Sequence, residues 1–159
     1  MISQKITPTL FFDSTITNAE GVISFYKSIF KDFEIIRQFK LPIGPAEGKV
    51  LASIRMNGQE FIIFAAGPEF KFSEAFSLTI ECHNQEEVDY YWKKLSDGGR
   101  EIECGWLQDR FGVFWQIVPS QLMELIQDKN PQKAAAVFNT MLQMRKINIA
   151  DLEKAYQNV

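Results

Sequence analysis

The sequence predicts an α+β fold in which two βαβββ modules form a curved mixed sheet, with helices appended at the C-terminal end. The first observation is the order of segments, because strand-like stretches flank an amphipathic helix in the same way twice along the chain. The second is spacing, since apolar positions of the second helix follow those of the first at a constant interval of 66 residues. The matched positions are Val22, Tyr26 and Ile29 in the first helix and Val88, Trp92 and Leu95 in the second. Together these observations indicate an internal duplication.

The chain has 159 residues, a length that suits one domain or two small duplicated halves. We expect the first module at 1–68, the second at 69–119 and a C-terminal helical extension at 120–159. A single βαβββ module buries only one face of its sheet, so we expect the modules to lie side by side with their helices on the convex side. The concave side would then form a trough suited to a small-molecule ligand.

The first module begins with a strand predicted at 6–12, where Pro8 is tolerated only near the start of a strand or at an edge. Thr17 and Glu20 have the spacing of a capping box, which predicts the start of the first helix. Asn57-Gly58 is typical of a tight hairpin turn. The remaining strands are expected at 33–41, 48–57 and 59–65.

The second module begins with a strand predicted at 75–82. Asn84 can cap the helix that follows, and Gly98-Gly99 is expected to end it. The remaining strands are expected near 101–104, 106–109 and 112–118. The same βαβββ order therefore appears twice.

Past Pro119 the sequence becomes helical. A short helical stretch is expected at 120–127, and Asn130-Pro131 supplies a cap and a proline for the first position of the next helix. Asn148 can cap a last helix. These amphipathic helices need a surface to cover, which is either their own subunit or a partner subunit.

The composition excludes several classes of function. Apolar residues make up 46% of the chain and charged residues 23%, which is ordinary for a globular protein. The formal charge of −3 gives no basic footprint, so we expect no nucleic-acid partner. No apolar run is long enough to span a membrane, and the N-terminus lacks the features of a signal peptide. Two cysteines make no disulfide framework, so we expect a cytoplasmic protein.

The strand predicted at 112–118 carries the most informative pattern for function. Its alternation places Phe114, Gln116 and Val118 on the face opposite Trp115. A glutamine where a sealed core would place an apolar residue indicates a lined pocket. Alternation in the other strands gives further candidates, and Phe70 and Phe72, in the segment that links the two modules, complete the candidate site. Each strand position is also compatible with a sheet face that is exposed to solvent. The candidate ligand-binding residues are Thr9, Phe11, Phe70, Phe72, Ser77, Thr79, Glu81, Trp106, Phe114 and Gln116.

Two runs, Cys104–Pro119 and Phe70–Ala75, resemble a known family. It is the 3-demethylubiquinone-9 3-methyltransferase-like family of the glyoxalase/bleomycin resistance/dioxygenase (vicinal oxygen chelate) superfamily. The resemblance extends over nearly the whole chain. It implies the paired βαβββ architecture and a homodimer that uses the C-terminal helices.

The resemblance also identifies where the metalloenzymes of the superfamily hold a divalent ion with histidine and glutamate. Gln116 occupies the position of a metal-binding glutamate, Ser77 lies near a histidine position, and Thr9 or Ile6 lies near the other. None of these side chains is a competent ligand for such a cation. His83 is the only histidine, and it is expected at an exposed strand-to-helix junction. We therefore expect no metal centre and no cofactor, which argues against glyoxalase I and extradiol dioxygenase activity.

The methyltransferase activity in the family name finds no support in the glycines. None of them makes the glycine-rich turn between a strand and a helix that common S-adenosylmethionine enzymes use. Cys82 is expected in the core. Cys104 is expected at the rim of the trough with no histidine to activate it. No catalytic residue can therefore be named.

Other charged residues have more limited expected roles. Asp109 and Arg110 are expected to fix a turn through bonds to the backbone. Arg55 is a candidate anchor for an anionic group, and so is Lys71. Glu81 is the one carboxylate expected inside the trough, where partial desolvation would make it a proton acceptor.

Three hypotheses for function follow. The leading one is a metal-free protein that binds a small molecule in its trough. The second is an enzyme that uses Glu81 as a base or recruits a metal through atypical ligands. The third is a structural or regulatory homodimer whose trough is vestigial.

Overall fold

The computed structural model describes residues 4–159, which divide into two compact units, the first ending at Lys71 and the second running from Phe72 to Val159. The elements in chain order are β1 Thr9–Phe12, α1 Ala19–Ile29, β2 Phe33–Lys40, β3 Val50–Met56, β4 Gln59–Ala65, β5 Leu78–Cys82, α2 Gln85–Ser96, β6 Arg100–Glu101, β7 Trp106–Gln108, β8 Phe114–Pro119, α3 Ser120–Ile126, α4 Pro131–Met141 and α5 Ile149–Gln157. The α+β class and both βαβββ modules are therefore confirmed, and each module has its own four-stranded mixed sheet.

The sheet of the first unit has the order β1-β4-β3-β2, with β1 parallel to β4 and the other pairs antiparallel. Its buried residues include Leu10, Phe12, Ala52 and Ile63, and α1 packs on β3 and β4 of this sheet. The first strand begins at Thr9 and not at Ile6, because Pro8 has no N–H to donate and contributes only its carbonyl oxygen to Ile62.

The helix of the first unit begins one residue later than the predicted capping box. Asn18 is the N-cap, and its side-chain oxygen accepts from the backbone N–H of Gly21 at 2.7 Å. Asparagine caps at least as well as threonine, and here Asn18 is the residue that reaches the third helical N–H. The predicted Asn57-Gly58 turn is confirmed, with φ of 45° and 81° at the two residues.

The sheet of the second unit has the order β5-β8-β7-β6, with β5 parallel to β8. Asn84 caps α2 as predicted, and the helix buries Val88, Trp92 and Leu95. The helix ends one turn before Gly99. At Gly99 the backbone passes close to that of β7. A Cβ atom at Gly99 would lie 2.0 Å from the carbonyl oxygen of Gln108, so only glycine fits there.

The strand predicted near 101–104 is in fact Arg100–Glu101. Cys104 adopts φ of 59° and Gly105 adopts φ of 81°, which breaks the extended backbone before β7. This correction moves Arg100 into the sheet.

The C-terminal helices pack on their own subunit. Leu122, Val137, Ile147 and Leu152 form a buried cluster that also contacts Val118 of β8. The backbone N–H groups of Cys104 and Gly105 donate to the α4–α5 connection at 2.8 and 2.7 Å. Asn130 and Asn148 cap α4 and α5 as predicted. Within residues 4–159, no helix combines the length and apolar character needed to cross a bilayer.

Candidate functional site

The sheet face of the second unit that lies opposite α2 brings several predicted residues together. Because side chains alternate along a strand, the buried Leu107, Trp115 and Ile117 point toward the helix, and their neighbours point away. Strand pairing then aligns two rows on this opposite face. The first row is Thr79, Gln116 and Trp106; the second is Phe114, Gln108 and Arg100.

Gln116 and Ser77 form the centre of this face. Gln116 Nε2 donates to Ser77 Oγ at 2.8 Å, which joins residues 39 positions apart in sequence. Gln116 is partly buried in the middle strand of the sheet. The pair thus holds a fixed amide, with Oε1 as an acceptor and the Ser77 hydroxyl as a donor for further contacts.

This donor set does not fit a divalent cation. The resemblance placed metal ligands at the positions of Gln116 and Ser77, and the structure shows these two groups bonded to each other through the amide nitrogen. An amide nitrogen offers no lone pair to a metal, and both side chains are neutral. Among residues 4–159, no three His, Cys, Asp or Glu side chains group in a way that could hold a metal ion.

Arg100 and Gln108 belong to the same face, although sequence reasoning missed both. Arg100 Nε donates to Gln108 Oε1 at 2.8 Å, and Gln108 Nε2 donates to the carbonyl oxygen of Gly112 at 3.0 Å. The Arg100 guanidinium carbon lies 5.9 Å from the ring centroid of Phe114. Strand alternation counted from Trp106 could have identified Gln108. Arg100 was missed because the strand that contains it was predicted near 101–104.

The other predicted residues of the second unit vary in exposure. Phe114 is only 2% exposed, so it supports the face from below more than it presents a surface. The ring of Phe72 lies beside Gly112. Thr79 and Glu81 are exposed. Glu81 is therefore not enclosed in the way that the hypothesis of a catalytic base requires.

Phe76 falls within the strand predicted at 75–82, but it does not belong to the buried core. Its side chain is 46% exposed. The physical reason is that β5 begins only at Leu78, so the alternation that buries Cys82 does not extend back to Phe76.

The predicted residues of the first unit lie around an aromatic cluster. Phe11 makes an edge-on contact with Phe64 at a centroid distance of 4.9 Å and a tilted contact with Phe70 at 4.3 Å. Thr9, two residues before Phe11 on β1, is exposed. The sequence proposed Phe11 and Phe70 as ligand-binding residues without predicting this contact, and it did not point to Phe64.

The expectation that Arg55 anchors an anionic ligand is wrong. Strand pairing places Arg55 between Glu34 and Glu60, and its guanidinium donates to both carboxylates. Glu60 is 1% exposed, and its oxygen lies 2.6 Å from Arg55 Nη2. The hydrogen bond to Glu60 raises the pKa of Arg55, so this arginine stays charged and committed to its own strands.

Asp109 fixes the turn that leads into β8, as predicted. Its carboxylate accepts from the backbone N–H groups of Phe111 at 2.9 Å and Val113 at 3.1 Å, and from Trp115 Nε1 at 2.9 Å. It is 3% exposed. Arg110 donates to the carbonyl oxygen of Asp97 at 3.1 Å and pairs with its carboxylate. Asp109 thereby sets the start of the strand that carries Gln116.

The cysteines and the histidine have the environments that the sequence predicted. Cys82 is buried, and burial raises the pKa of its thiol to about 12, so the thiolate form is suppressed. Cys104 is partly buried. His83 is exposed at the start of the α2 cap, where its backbone N–H donates to Glu87 at 2.7 Å.

Two concavities lie elsewhere in the described chain. One, of about 240 Å³, borders the start of α1 beside Asn18 and Lys49. The other, of about 440 Å³, lies between α4 and α5 beside Met144 and Lys154. Neither contains a candidate ligand-binding residue.

The duplicated βαβββ fold, with its polar sheet face, defines a member of the glyoxalase/vicinal oxygen chelate superfamily. The family model of 3-demethylubiquinone-9 3-methyltransferase matches residues 4–118, and the chain belongs to this family. The comparison with curated proteins found no match.

Three solved structures illustrate the similarity. The PhnB protein of Bacillus cereus is 34% identical over 74% of this chain and 100% of its own, with a TM-score of 0.64. Protein PA1353 of Pseudomonas aeruginosa is 18% identical over 74% of this chain and 98% of its own, with a TM-score of 0.59. The fosfomycin resistance protein FosX of Listeria monocytogenes is 18% identical over 80% of this chain and 100% of its own, also with a TM-score of 0.59. At that identity, the last two share the fold alone.

Proposed function

We propose that this protein binds a small organic molecule, without a metal, on the sheet face of the second unit. The observation that carries the proposal is the hydrogen bond between Gln116 and Ser77. A partly buried amide, oriented by a neighbouring hydroxyl, is the kind of polar group that fixes a ligand in a mostly apolar site. Trp106 lies in the same row and supplies a flat apolar surface.

The remaining candidate residues of the second unit are proposed contacts of the same ligand. Thr79 pairs directly with Gln116 across β5 and β8, and Phe72 lies near the end of the second row. Thr9, Phe11 and Phe70 of the first unit, together with Phe114 and Glu81, complete the set proposed from sequence. Module boundaries at 1–68, 69–119 and 120–159 are likewise proposed from sequence.

Binding is favoured over catalysis by the chemistry of the side chains. Glu81, the one carboxylate considered as a general base, is exposed and is not enclosed in a site. The methyl transfer in the family name is not extended to this chain, because its sequence lacks the glycine-rich turn that common S-adenosylmethionine enzymes use. The fosfomycin resistance in the name of the Listeria protein belongs to that protein.

A thermal-shift screen tests the proposed site. Small metabolites, apolar and anionic, are screened against wild-type protein, Gln116→Ala and the control Gln132→Ala, whose glutamine is exposed on α4. We expect a stabilising compound to lose its effect in Gln116→Ala and to keep it in Gln132→Ala. A stabilising compound that acts equally on all three proteins would place the ligand elsewhere.

The protein is further proposed to act as a cytoplasmic homodimer. The dimer is implied by the superfamily, and exposed Phe138 on α4 and Leu142 at its C-cap give the C-terminal helices an apolar surface. Light scattering coupled to size exclusion is expected to give twice the chain mass, and Phe138→Glu is expected to give monomers. A monomeric wild-type protein at micromolar concentration would contradict this proposal.

A further inference from the structure

We infer that the ligand of the second unit carries a carboxylate, which Arg100 binds. This inference rests on the proposed function, because it assigns a chemical class to the molecule held at Gln116. Arg100 begins β6 and shares a row with Gln108 and Phe114, next to the row of Gln116. A cationic group therefore lies on the same sheet face as the fixed amide.

The guanidinium of Arg100 is held in place by its neighbours. Its Nε donates to Gln108 Oε1, and Gln108 is itself held by its bond to Gly112. The ring of Phe114 lies below the guanidinium carbon at 5.9 Å. Because Nε is occupied, the two terminal nitrogens are the donors left for another group, and their spacing matches the two oxygens of a carboxylate.

The structure itself supplies a carboxylate for this guanidinium. Glu74 Oε1 lies 3.6 Å from Arg100 Nη2, with the two side chains 65% and 59% exposed. This distance exceeds that of a good charge-assisted hydrogen bond, and exposed pairs of this kind contribute little. Glu74 is therefore a weak internal competitor that a ligand carboxylate can displace.

One arginine favours a monoanion. A single guanidinium balances one negative charge, as a carboxylate carries, whereas phosphate dianions are usually held by several donors or cations. Arg55 is already neutralised between Glu34 and Glu60, so it adds no positive charge to a ligand.

The sheet also sets the size of the ligand. Phe114 and Gln116 are two residues apart on β8, which separates the two rows by roughly 7 Å. Arg100 lies two strands from Gln116, but its guanidinium carbon reaches to 5.9 Å from the ring centroid of Phe114. A ligand that contacts both this guanidinium and Gln116 thus needs a carboxylate and a hydrogen-bonding group roughly 7 Å apart. The indole of Trp106, in the row of Gln116, favours an aromatic or unsaturated body between them.

Isothermal titration calorimetry with a matched pair of probes tests the inference. The probes are 3-hydroxyphenylacetate and its neutral amide, 3-hydroxyphenylacetamide, titrated into the full chain at low ionic strength. The proteins are wild type, Arg100→Gln, Arg100→Lys, Glu74→Gln and Gln116→Ala. Lys94→Gln, which removes an equal charge from the exposed side of α2, is the control. Circular dichroism melting of each variant shows that it folds.

We expect the acid to bind wild type about fivefold more tightly than the amide, a ratio typical of one partly exposed ion pair. Arg100→Gln should remove this preference, and Arg100→Lys should restore only part of it, because lysine cannot make the bidentate contact. Glu74→Gln should strengthen acid binding by about twofold, since the internal competitor is lost. Lys94→Gln should leave the preference unchanged.

The failures are distinguishable. If acid and amide bind equally and both are lost in Gln116→Ala, the carboxylate assignment is wrong and the proposed function stands. A preference for the acid that survives Arg100→Gln also overturns the assignment. If neither probe binds, the assignment fails, and the Gln116 thermal-shift screen decides the proposed function by itself.

Discussion

The two sheets of this protein come from one repeated pattern, and they treat charge in opposite ways. In the first unit, Arg55 lies between Glu34 and Glu60 on adjacent strands, and its charge is neutralised within the sheet. In the second unit, Arg100 lies at the end of a row with Gln108, and its ion pair is with the exposed Glu74 at 3.6 Å. The first arrangement ties three strands together, whereas the second leaves donors for another molecule.

The residue pairs that join the first and last strands of each module also differ in polarity between the two units. Thr9 is paired with Ile62 in the first unit, and Thr79 is paired with Gln116 in the second. An apolar side chain at this position contributes to packing, while a fixed amide contributes directional hydrogen bonds. The duplication thus repeats the scaffold, and the polar chemistry suited to a ligand lies in the second copy.

The largest expected effect concerns Gly99, which allows the second sheet to form around Arg100. In Gly99→Ala, the new Cβ would lie 2.0 Å from the carbonyl oxygen of Gln108, so backbone must shift. We expect the free energy of unfolding in urea to fall by about 3 kcal/mol. Gly44→Ala is the control, because a Cβ there meets no atom within 4 Å and only the positive φ costs energy, about 1 kcal/mol. Equal losses of unfolding free energy in Gly99→Ala and Gly44→Ala would contradict a steric clash at Gly99.

Asp109 is the next most sensitive position, because it holds the start of β8 in the second unit. In Asp109→Asn, an NH₂ group must face one of three donors, either Trp115 Nε1 or the turn N–H groups. We expect a loss of about 2 kcal/mol in the free energy of unfolding, measured in urea. Glu60→Gln is the matched change in the first unit, and we expect a smaller loss because Arg55 keeps Glu34. A larger loss in Glu60→Gln would show that the first unit depends more on its buried carboxylate.

A metal-binding experiment tests whether the second unit would bind a cation if metal-ligating side chains were introduced into it. Since Ser77 Oγ and Gln116 Nε2 lie 2.8 Å apart, side chains at both positions can reach one ion. We expect Ser77→His/Gln116→Glu to bind Zn²⁺ on the order of tenfold more tightly than wild type in calorimetric titration. The control, Thr9→His/Ile62→Glu, introduces the same two ligands at a pair of positions that joins β1 and β4 in the first unit. Equal Zn²⁺ affinity of wild type and the second-unit variant would indicate that the backbone there cannot present ligands.

Local signals in the sequence predicted much of the fold. The caps Asn84, Asn130 and Asn148 and the turn Asn57-Gly58 act through neighbouring atoms, and all four were predicted correctly. Gln116 was found by alternation, which is also local. The membership of this chain in its family came from two short runs of sequence.

Features that depend on contacts between residues far apart in sequence could not be predicted. Arg55 meets Glu60 only because of the β3–β4 register, so its role as an anion anchor was mistaken. Arg100 belongs to β6, and the break between β6 and β7 includes a positive φ at Cys104, which propensity does not predict for cysteine. The packing of the C-terminal helices on their own subunit depends on contacts of Val118 with a cluster from three helices.

The smallest expected effect concerns Phe70 and Phe72, between β4 and β5, and distinguishes a role in packing from a role in ligand binding. Phe70 contacts Phe11 at 4.3 Å in the first unit, and Phe72 lies beside Gly112 in the second. Phe70→Leu should lower the free energy of unfolding by about 1 kcal/mol, since one aromatic pair is lost. If the first unit serves mainly as scaffold, a compound that stabilises wild type should raise the melting temperature of Phe70→Leu by the same amount, and that of Phe72→Leu by less. The reverse order would move the proposed ligand toward the aromatic cluster of Phe11, Phe64 and Phe70, and would remove the asymmetry between the two copies.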